Sequence, residues 1–336
     1  MDTVLTGITT TGTPHIGNYV GAIRPAVAAS RQAGVQSYYF LADYHALVKG
    51  SDPDRVAKST LEVAATWLAI GLSPDSVFYR QSDVPEILEL SWVLTCMTAK
   101  GLMNRAHAYK AAVDENMARG NRDPDQGVMM GLFCYPILMA ADILMFNANK
   151  VPVGKDQIQH VEMARDIAAR FNHHYGETFV LPEAVVSESS AVLPGLDGRK
   201  MSKSYDNTIP LFIDQKQLRK LIMKVKTNSL EPGEPKDPED SALFAIYRAF
   251  AGEPETEAMR VRYAEGIGWG EMKQLLFEYL DAHLKESREE YRRLVAAPDH
   301  VEQRLLEGAQ RARAMSRPFL DEIRRTVGIR PLASPV

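Results

Sequence analysis

Val4-Leu5-Thr6-Gly7-Ile8-Thr9-Thr10-Thr11-Gly12-Thr13-Pro14-His15-Ile16-Gly17-Asn18-Tyr19-Val20-Gly21 is the stretch on which the fold turns. Val4 to Ile8 has the short apolar run of a strand, Thr9 to Thr13 is a loop of hydroxyls and glycine, and a helix follows from about Gly17. Such a sequence makes an anion site. Amides left unpaired at the helix start favour phosphate, small residues let a ligand approach the backbone, and His15 and Asn18 add side-chain donors. Read alone, Thr13 to Gly21 serves equally well as a glycine-rich turn with a capping histidine. Neither Gly-x-Gly-x-x-Gly nor Gly-Lys-Ser/Thr is present, so dinucleotide and Walker-type fingerprints are excluded.

Outward from this stretch the strand and helix signals alternate. Ser37 to Ala42 reads as a second strand, followed by Asp43-Tyr44-His45. Ser51-Asp52-Pro53 caps an amphipathic helix reaching about Ile70, with Leu61, Ala64, Ala65 and Leu68 on one stripe. Val77 to Tyr79 is a third strand and Pro85 to Met97 a helix, and Lys150 to Gly154 is a short buried strand leading into a helix from about Asp156 to Phe171. This order predicts an α/β fold: a Rossmann-like, doubly wound, mostly parallel sheet, with ligands beyond the carboxyl ends of its strands. The Gly7–Gly17 loop and the Gly154 turn should lie there. From Asp214 helical spacing takes over, as in Leu275, Leu276, Tyr279 and Leu280, then Leu305, Leu306 and Ala309. The expected division is a catalytic domain over 1–210, with inserted helices, and an all-helical C-terminal domain over 211–336. Glu231 to Asp240 reads as an exposed loop.

Composition bounds the rest. By surface scaling, 336 residues of 37.4 kDa expose ~14,000 Å² of the ~54,000 Å² of the unfolded chain, enough for a sizeable core without staples. Two cysteines, Cys96 and Cys134, exclude both a disulfide framework and a four-thiolate metal site. No basic segment and apolar run opens the chain, and the apolar stretch Gly131 to Phe146 is broken by Pro136 and Asp142 and falls short of the ~20 residues of a membrane span. A cytoplasmic protein without membrane contact is expected. The net charge of −4 excludes a polycation that binds nucleic acid by bulk charge. Residues 283–330 carry eleven Lys or Arg against eight Asp or Glu, a local +3, for which a solvated helical face is the simpler reading than RNA contact.

A second segment, Gly198-Arg199-Lys200-Met201-Ser202-Lys203-Ser204, sets two ammonium groups three positions apart among hydroxyls, a pattern suited to a polyphosphate. By itself a short Lys/Ser run is usually a solvated loop. Together the two segments resemble the paired signatures of class I aminoacyl-tRNA synthetases, His15-Ile16-Gly17-Asn18 matching HIGH and Lys200-Met201-Ser202-Lys203-Ser204 being a full KMSKS. Tyr135-Pro136, Met139-Ala140-Ala141-Asp142-Ile143-Leu144 and Val151-Pro152-Val153-Gly154-Lys155-Asp156-Gln157, through His160 and Glu162, are similar to the bacterial tryptophanyl-tRNA synthetases over nearly the whole chain.

The resemblance implies a tryptophan–tRNA ligase acting through tryptophanyl-adenylate, with L-tryptophan, ATP carrying Mg²⁺, and tRNA(Trp) as partners, as a homodimer. His15, Asn18, Lys200 and Lys203 would be catalytic. Thr9, Thr10, Thr11, Gly17, Asn18, Gly154, Lys155, Asp156, Val192, Lys200, Met201, Ser202, Lys203 and Ser204 would hold ATP. Gly7, His45, Tyr135, Met139, Asp142, Ile143, Val153 and Gln157 would line the tryptophan pocket, with Asp142 accepting the indole N–H. No resident metal site is expected. Physical chemistry points the same way: an indole N–H is donor-only, and a carboxylate inside an apolar helix is costly unless paired. Asp142 could alternatively cap a helix or pair with a core arginine, and His45 could be a satisfied core histidine. Three departures from the usual pattern stand out: Thr9-Thr10-Thr11 where Gln-Pro-Ser is common, Lys155 where an acid is common, and Ala112 beside a retained Lys110. Tyrosyl-tRNA synthetase, an adenylating enzyme without tRNA and a non-catalytic tryptophan- or RNA-binding paralogue are the alternatives. His173-His174 reads as surface, and Trp67, Trp92 and Trp269 as core or interface.

Overall fold

The computed structural model describes residues 1–48, 52–186 and 192–333; Ser51 of the expected helix cap lies outside the described residues. Five strands, β1 (Asp2–Thr9), β2 (Val35–Ala42), β3 (Val77–Arg80), β4 (Lys150–Pro152) and β5 (Glu183–Val185), pair in parallel in the order β3-β2-β1-β4-β5. β1 and β2 run in register from Asp2↔Val35 to Thr9↔Ala42, so their carboxyl ends finish level. Strand order reverses between β1 and β4, and that reversal opens the crevice where a doubly wound sheet takes its ligand. β5 has no signal in the sequence, because Glu-Ala-Val is three residues long, half exposed and on the edge.

The helices cover the sheet through apolar stripes. Pro53–Ala69 starts at Asp52, whose carboxylate accepts the amides of Asp54 and Arg55, and it buries Val63, Ala64, Ala65 and Trp67, the last beside Tyr39. Met130–Met145 accommodates Pro136 and is buried along its second half, which carries Asp142 into the core at 0% exposure. After β4 a single 3₁₀ turn, Lys155–Gln157, precedes the Ile158–Tyr175 helix, which ends at Gly176 with φ 94°. Trp92 is 68% exposed, unlike Trp67 in the core, while Trp269 is half-buried and donates to Asn228.

Gln215–Met223, Ala242–Phe250, Glu253–Ala264 and Trp269–Ala296 share a core that also takes in Ile16, Tyr19, Val20, Met201 and Ile209. The helical region is therefore packed onto the two signature segments themselves. Within the stretch expected as an exposed loop, Lys236 is buried, because its ammonium donates to the carbonyls of Glu231 and Glu234 and lies 5.4 Å over the Trp269 ring.

The last helix, Pro298–Thr326, returns to the sheet. Ala309, Ala312, Leu320 and Ile323 join the core around β2 and β3. Its arginines act as staples: Arg311 donates to the carbonyls of Pro74 and Ser76, Arg313 and Arg317 meet Glu86, and Arg324 meets Glu89. Part of the local positive charge is therefore spent on bonds within the fold, although several of these side chains, such as Arg317, stay largely exposed. At the crossing, a Cβ on Gly308 would sit 1.7 Å from the Phe78 carbonyl oxygen, so only glycine fits against β3. Gly308→Ala should cost roughly 3 kcal/mol or more by overpacking backbone on backbone, while the exposed Gln310→Ala changes stability by less than about 0.5 kcal/mol; denaturant unfolding of both variants measures the difference.

Candidate active site

Two neighbouring recesses lie beyond the carboxyl ends of β1, β2 and β4. The first is a cavity of about 360 Å³, within the ~300–1,000 Å³ range of small-molecule sites. It brings together Gly7, Thr9, Thr11, His45, Tyr135, Met139, Asp142, Ile143, Val153, Asp156 and Gln157. Gly7 is required at its wall because a Cβ there would meet the Phe40 ring at 2.7 Å. A larger cavity, about 730 Å³, opens beside the start of the Pro53–Ala69 helix, but it has none of these groups.

Asp142 is the cavity's fully buried polar group. His45 Nε2 lies 2.8 Å from its Oδ2, and the Gln81 side-chain amide donates to its Oδ1 at 2.7 Å. Burial raises the Asp142 pKa, and the bonds from His45 and Gln81 work against that rise. Asp142 caps no helix and meets no arginine, so its partners are the polar groups of this site. Tyr135 Oη is 2.8 Å from His160 Nε2, which holds the phenol against the cavity. Sequence reasoning missed Gln81, His160 as a partner of Tyr135, and Asp43, whose carboxylate accepts the amides of Tyr44 and Ser82. A glutamine directly after a strand end was the available signal for Gln81.

The second recess, about 350 Å³, is bordered by Gly12, His15, Arg55, Lys58, Ser59 and Lys203. Gly12 has φ +94° and donates its amide to Ser59 Oγ. His15 caps the Ile16–Asn18 turn: its Nδ1 accepts the Asn18 amide at 3.3 Å while Asn18 Oδ1 accepts the His15 amide at 3.1 Å. With Nδ1 an acceptor, the proton of the neutral ring sits on Nε2. Burial, and secondly the Lys203 charge, push the His15 pKa down to about 4, so at neutral pH this ring is a neutral N–H donor.

The KMSKS segment closes this recess from above. Ile16 N–H donates to the Ile209 carbonyl, and Lys203 Nζ donates to the Thr11 carbonyl at 2.9 Å. Although Lys203 as a residue is exposed, its ammonium end is tucked in, and burial followed by the nearby Arg55 charge lowers its pKa. Ser202 Oγ caps the turn by accepting the Ser204 amide, and buried Asn207 ties the loop by accepting the Ser202 amide and donating to Asp197. Met201 is buried among Ile16 and Leu211, where it anchors the loop. Thr10 is buried too, and its hydroxyl has no partner among the described residues. A Cβ on Gly17 would stand 3.0 Å from the His15 ring, so a side chain here would press the imidazole out of its place. Gly154 and Lys155 are exposed beside Asp156, and Lys200 and the 63% exposed Val192 border neither recess. Among the described residues no group of three or more His, Cys, Asp or Glu could hold a metal ion.

The comparisons with known proteins identify the family. The family model of class I tRNA synthetases for tryptophan and tyrosine matches residues 2–285. The tryptophan–tRNA ligase of Neisseria meningitidis is 59% identical over 330 residues, covering 98% of each chain, and that of Pseudomonas aeruginosa is 62% identical over 337 residues, covering 99% of this chain and 75% of the longer relative. The crystal structure of Campylobacter jejuni tryptophanyl-tRNA synthetase complexed with ADP and tryptophan superposes with a TM-score of 0.87 at 44% identity, covering 97% of this chain and 99% of that one. The chain thus belongs to the class I tRNA synthetases of the tryptophan and tyrosine type, and within them to the tryptophan–tRNA ligase family.

The depressed His15 pKa has a consequence for stability. Below pH 6.5 the unfolded chain binds a proton that folded His15 refuses, so folding stability falls as the pH drops towards about 4. Over that window His15→Gln should recover up to roughly 3 kcal/mol relative to wild type, read from urea unfolding at pH 7, 5.5 and 4.5.

Proposed function

We propose that this chain joins L-tryptophan to tRNA(Trp) in two steps. A tryptophan carboxylate oxygen attacks the α-phosphorus of ATP, forming tryptophanyl-adenylate and releasing pyrophosphate. A terminal ribose hydroxyl of the tRNA, by class resemblance the 2′-OH, then attacks the acyl carbon and AMP leaves. No protein nucleophile is needed. The observation that carries the reading is the buried acceptor Asp142 at a cavity that adjoins a phosphate-sized recess bordered by His15 and Lys203.

Each group then has a role that its chemistry allows. Asp142 accepts the indole N–H, between the apolar Met139, Ile143 and Val153. Gly7, His45, Tyr135 and Gln157 complete the wall. Neutral His15 donates from Nε2 to the phosphates, while the amides of His15, Ile16 and Asn18, engaged within the protein, lock the turn that aims it. Lys203, with Lys200 and the hydroxyls of Ser202 and Ser204, neutralises charge as pyrophosphate departs. Thr9 and Thr11 approach the nucleotide from the loop, and Thr10 and Met201 support it from behind. By resemblance alone, Gly154, Lys155, Asp156 and Val192 are assigned to the adenosine end, although Val192 borders neither recess and Asp156 lines the first cavity. Magnesium arrives with ATP and supplies further charge neutralisation there, as part of the substrate.

The helices between about 211 and 296 carry the anticodon-reading surface in this reading. A symmetric homodimer is favoured by the family resemblance. Trp92, Met117, Met129 and Met130 are large apolar side chains left exposed on the single chain, and in this reading some of them are covered in the dimer. No helix of the described residues is long and apolar enough to cross a membrane, and a cytoplasmic setting suits the two cysteines, of which Cys96 is exposed and Cys134 half-buried.

Amino-acid-dependent ATP–pyrophosphate exchange across all twenty amino acids tests the activity. Exchange with tryptophan alone is expected; exchange with tyrosine instead would overturn the specificity. Lys203→Ala should lower the maximal exchange rate about 10²- to 10³-fold with a tryptophan KM within a fewfold of wild type. Asp142→Ala should raise the tryptophan KM about 10- to 100-fold and leave ATP binding nearly unchanged, as titration of each ligand against the variant would show.

A further inference from the structure

Gln81 has properties that packing does not explain. It is the first residue after β3, is 0% exposed, does not border the cavity, and has an amide oxygen without a hydrogen-bond partner among the described residues. Its side chain makes one hydrogen bond among the described residues, to Asp142 Oδ1 at 2.7 Å. An orphaned buried carbonyl is costly, and a methionine of similar reach would fill the space without that cost. What the glutamine supplies, and an apolar side chain would not, is a donor aimed at the carboxylate.

We propose that Gln81 is a specificity-determining positioning residue: together with His45 it pins the Asp142 carboxylate and uses up the side-chain donors that reach it, so that this end of the cavity presents only acceptor capacity to an incoming ring. The proposal deepens the tryptophan-activating reading and rests on it. A carboxylate has about four lone-pair sites, and two are filled by His45 Nε2 and Gln81 Nε2, one on each oxygen. The sites left can accept one more N–H. An indole is a donor only and leaves nothing unpaired. A phenol is donor and acceptor; it can donate to Asp142, but its own lone pairs then find the two neighbouring donors already engaged. Fixing the carboxylate from both sides also keeps it from turning towards a differently placed donor. Gln81 acts from behind the cavity wall, one step removed from the ligand, while His45 acts from the wall itself.

The test is ATP–pyrophosphate exchange by wild type, Gln81→Met and Gln81→His with three amino acids: tryptophan, its benzothienyl isostere that lacks the N–H, and tyrosine. In Gln81→Met, kcat/KM for tryptophan should fall about 10- to 100-fold and that for the isostere less than about threefold, with the tyrosine-to-tryptophan ratio raised at least about tenfold. Gln81→His, which keeps a ring N–H donor, should restore much of the tryptophan-to-isostere preference. The tryptophan-to-isostere and tyrosine-to-tryptophan comparisons are ratios within one preparation, so partial unfolding of a variant cancels in them. Equal losses for tryptophan and the isostere in both variants would make Gln81 a packing residue and overturn the proposal, as would an unchanged tryptophan rate in Gln81→Met. Absence of tryptophan exchange by wild type would instead strike at the activity, which separates the two failures.

Discussion

A carboxylate at zero exposure inside an apolar helix is the constraint from which the site is built. Asp142 would be prohibitively costly to bury alone, so β3 must end where Gln81 can reach one oxygen, and the turn after β2 must place His45 against the other. Those two requirements tie the second and third strands to the Met130–Met145 helix at the point where the strand order opens the crevice. The hydrogen bonds satisfy the charge, orient it and leave it capacity to accept one more donor. Preorganisation of this kind is the contribution a rigid fold makes to recognition.

The phosphate side follows a different logic, in which a locked backbone holds the donor and cationic side chains in place. The reciprocal His15–Asn18 bonds fix the helix start, and the same bond that caps the helix sets the tautomer of His15. Burial then keeps that ring neutral, so positive charge in the recess is left to lysine and arginine. Lys203 resting on the Thr11 carbonyl shows how the two signature segments meet: one contributes backbone and the other charge, across 192 residues of sequence. The KMSKS segment is itself supported from beneath by Met201 and Asn207, which accounts for an apolar residue in the middle of a cationic motif.

The helical third of the chain packs on the catalytic sheet at both ends. Its core continues into Ile16, Tyr19 and Met201, and its last helix crosses β3 at Gly308 and is stapled by Arg311, Arg313 and Arg324. A surface that reads RNA on those helices would be mechanically continuous with the loop that holds the phosphates.

Local chemistry made much of this legible. The runs Val4–Ile8, Ser37–Ala42, Val77–Tyr79 and Lys150–Gly154 became β1 to β4 because apolar continuity between turn signals is a short-range property, and HIGH-like and KMSKS segments are contiguous strings. Asp142 stood out since a lone acid in an apolar helix needs an explanation. The edge strand β5 was hidden by its brevity and half exposure. Gln81 and Asn207 were hidden because a polar residue reveals its purpose only through partners distant in sequence, and the arginines of the last helix because a charge pattern does not say whether it faces water, RNA or a buried glutamate. The sequence by itself determined the strand–loop–helix alternation, the two signatures and the pocket's key acceptor. Tertiary structure alone decided which donors face that acceptor, which tautomer His15 adopts and which charges are spent on folding, since each of these depends on distances between residues that the chain brings together only when it closes.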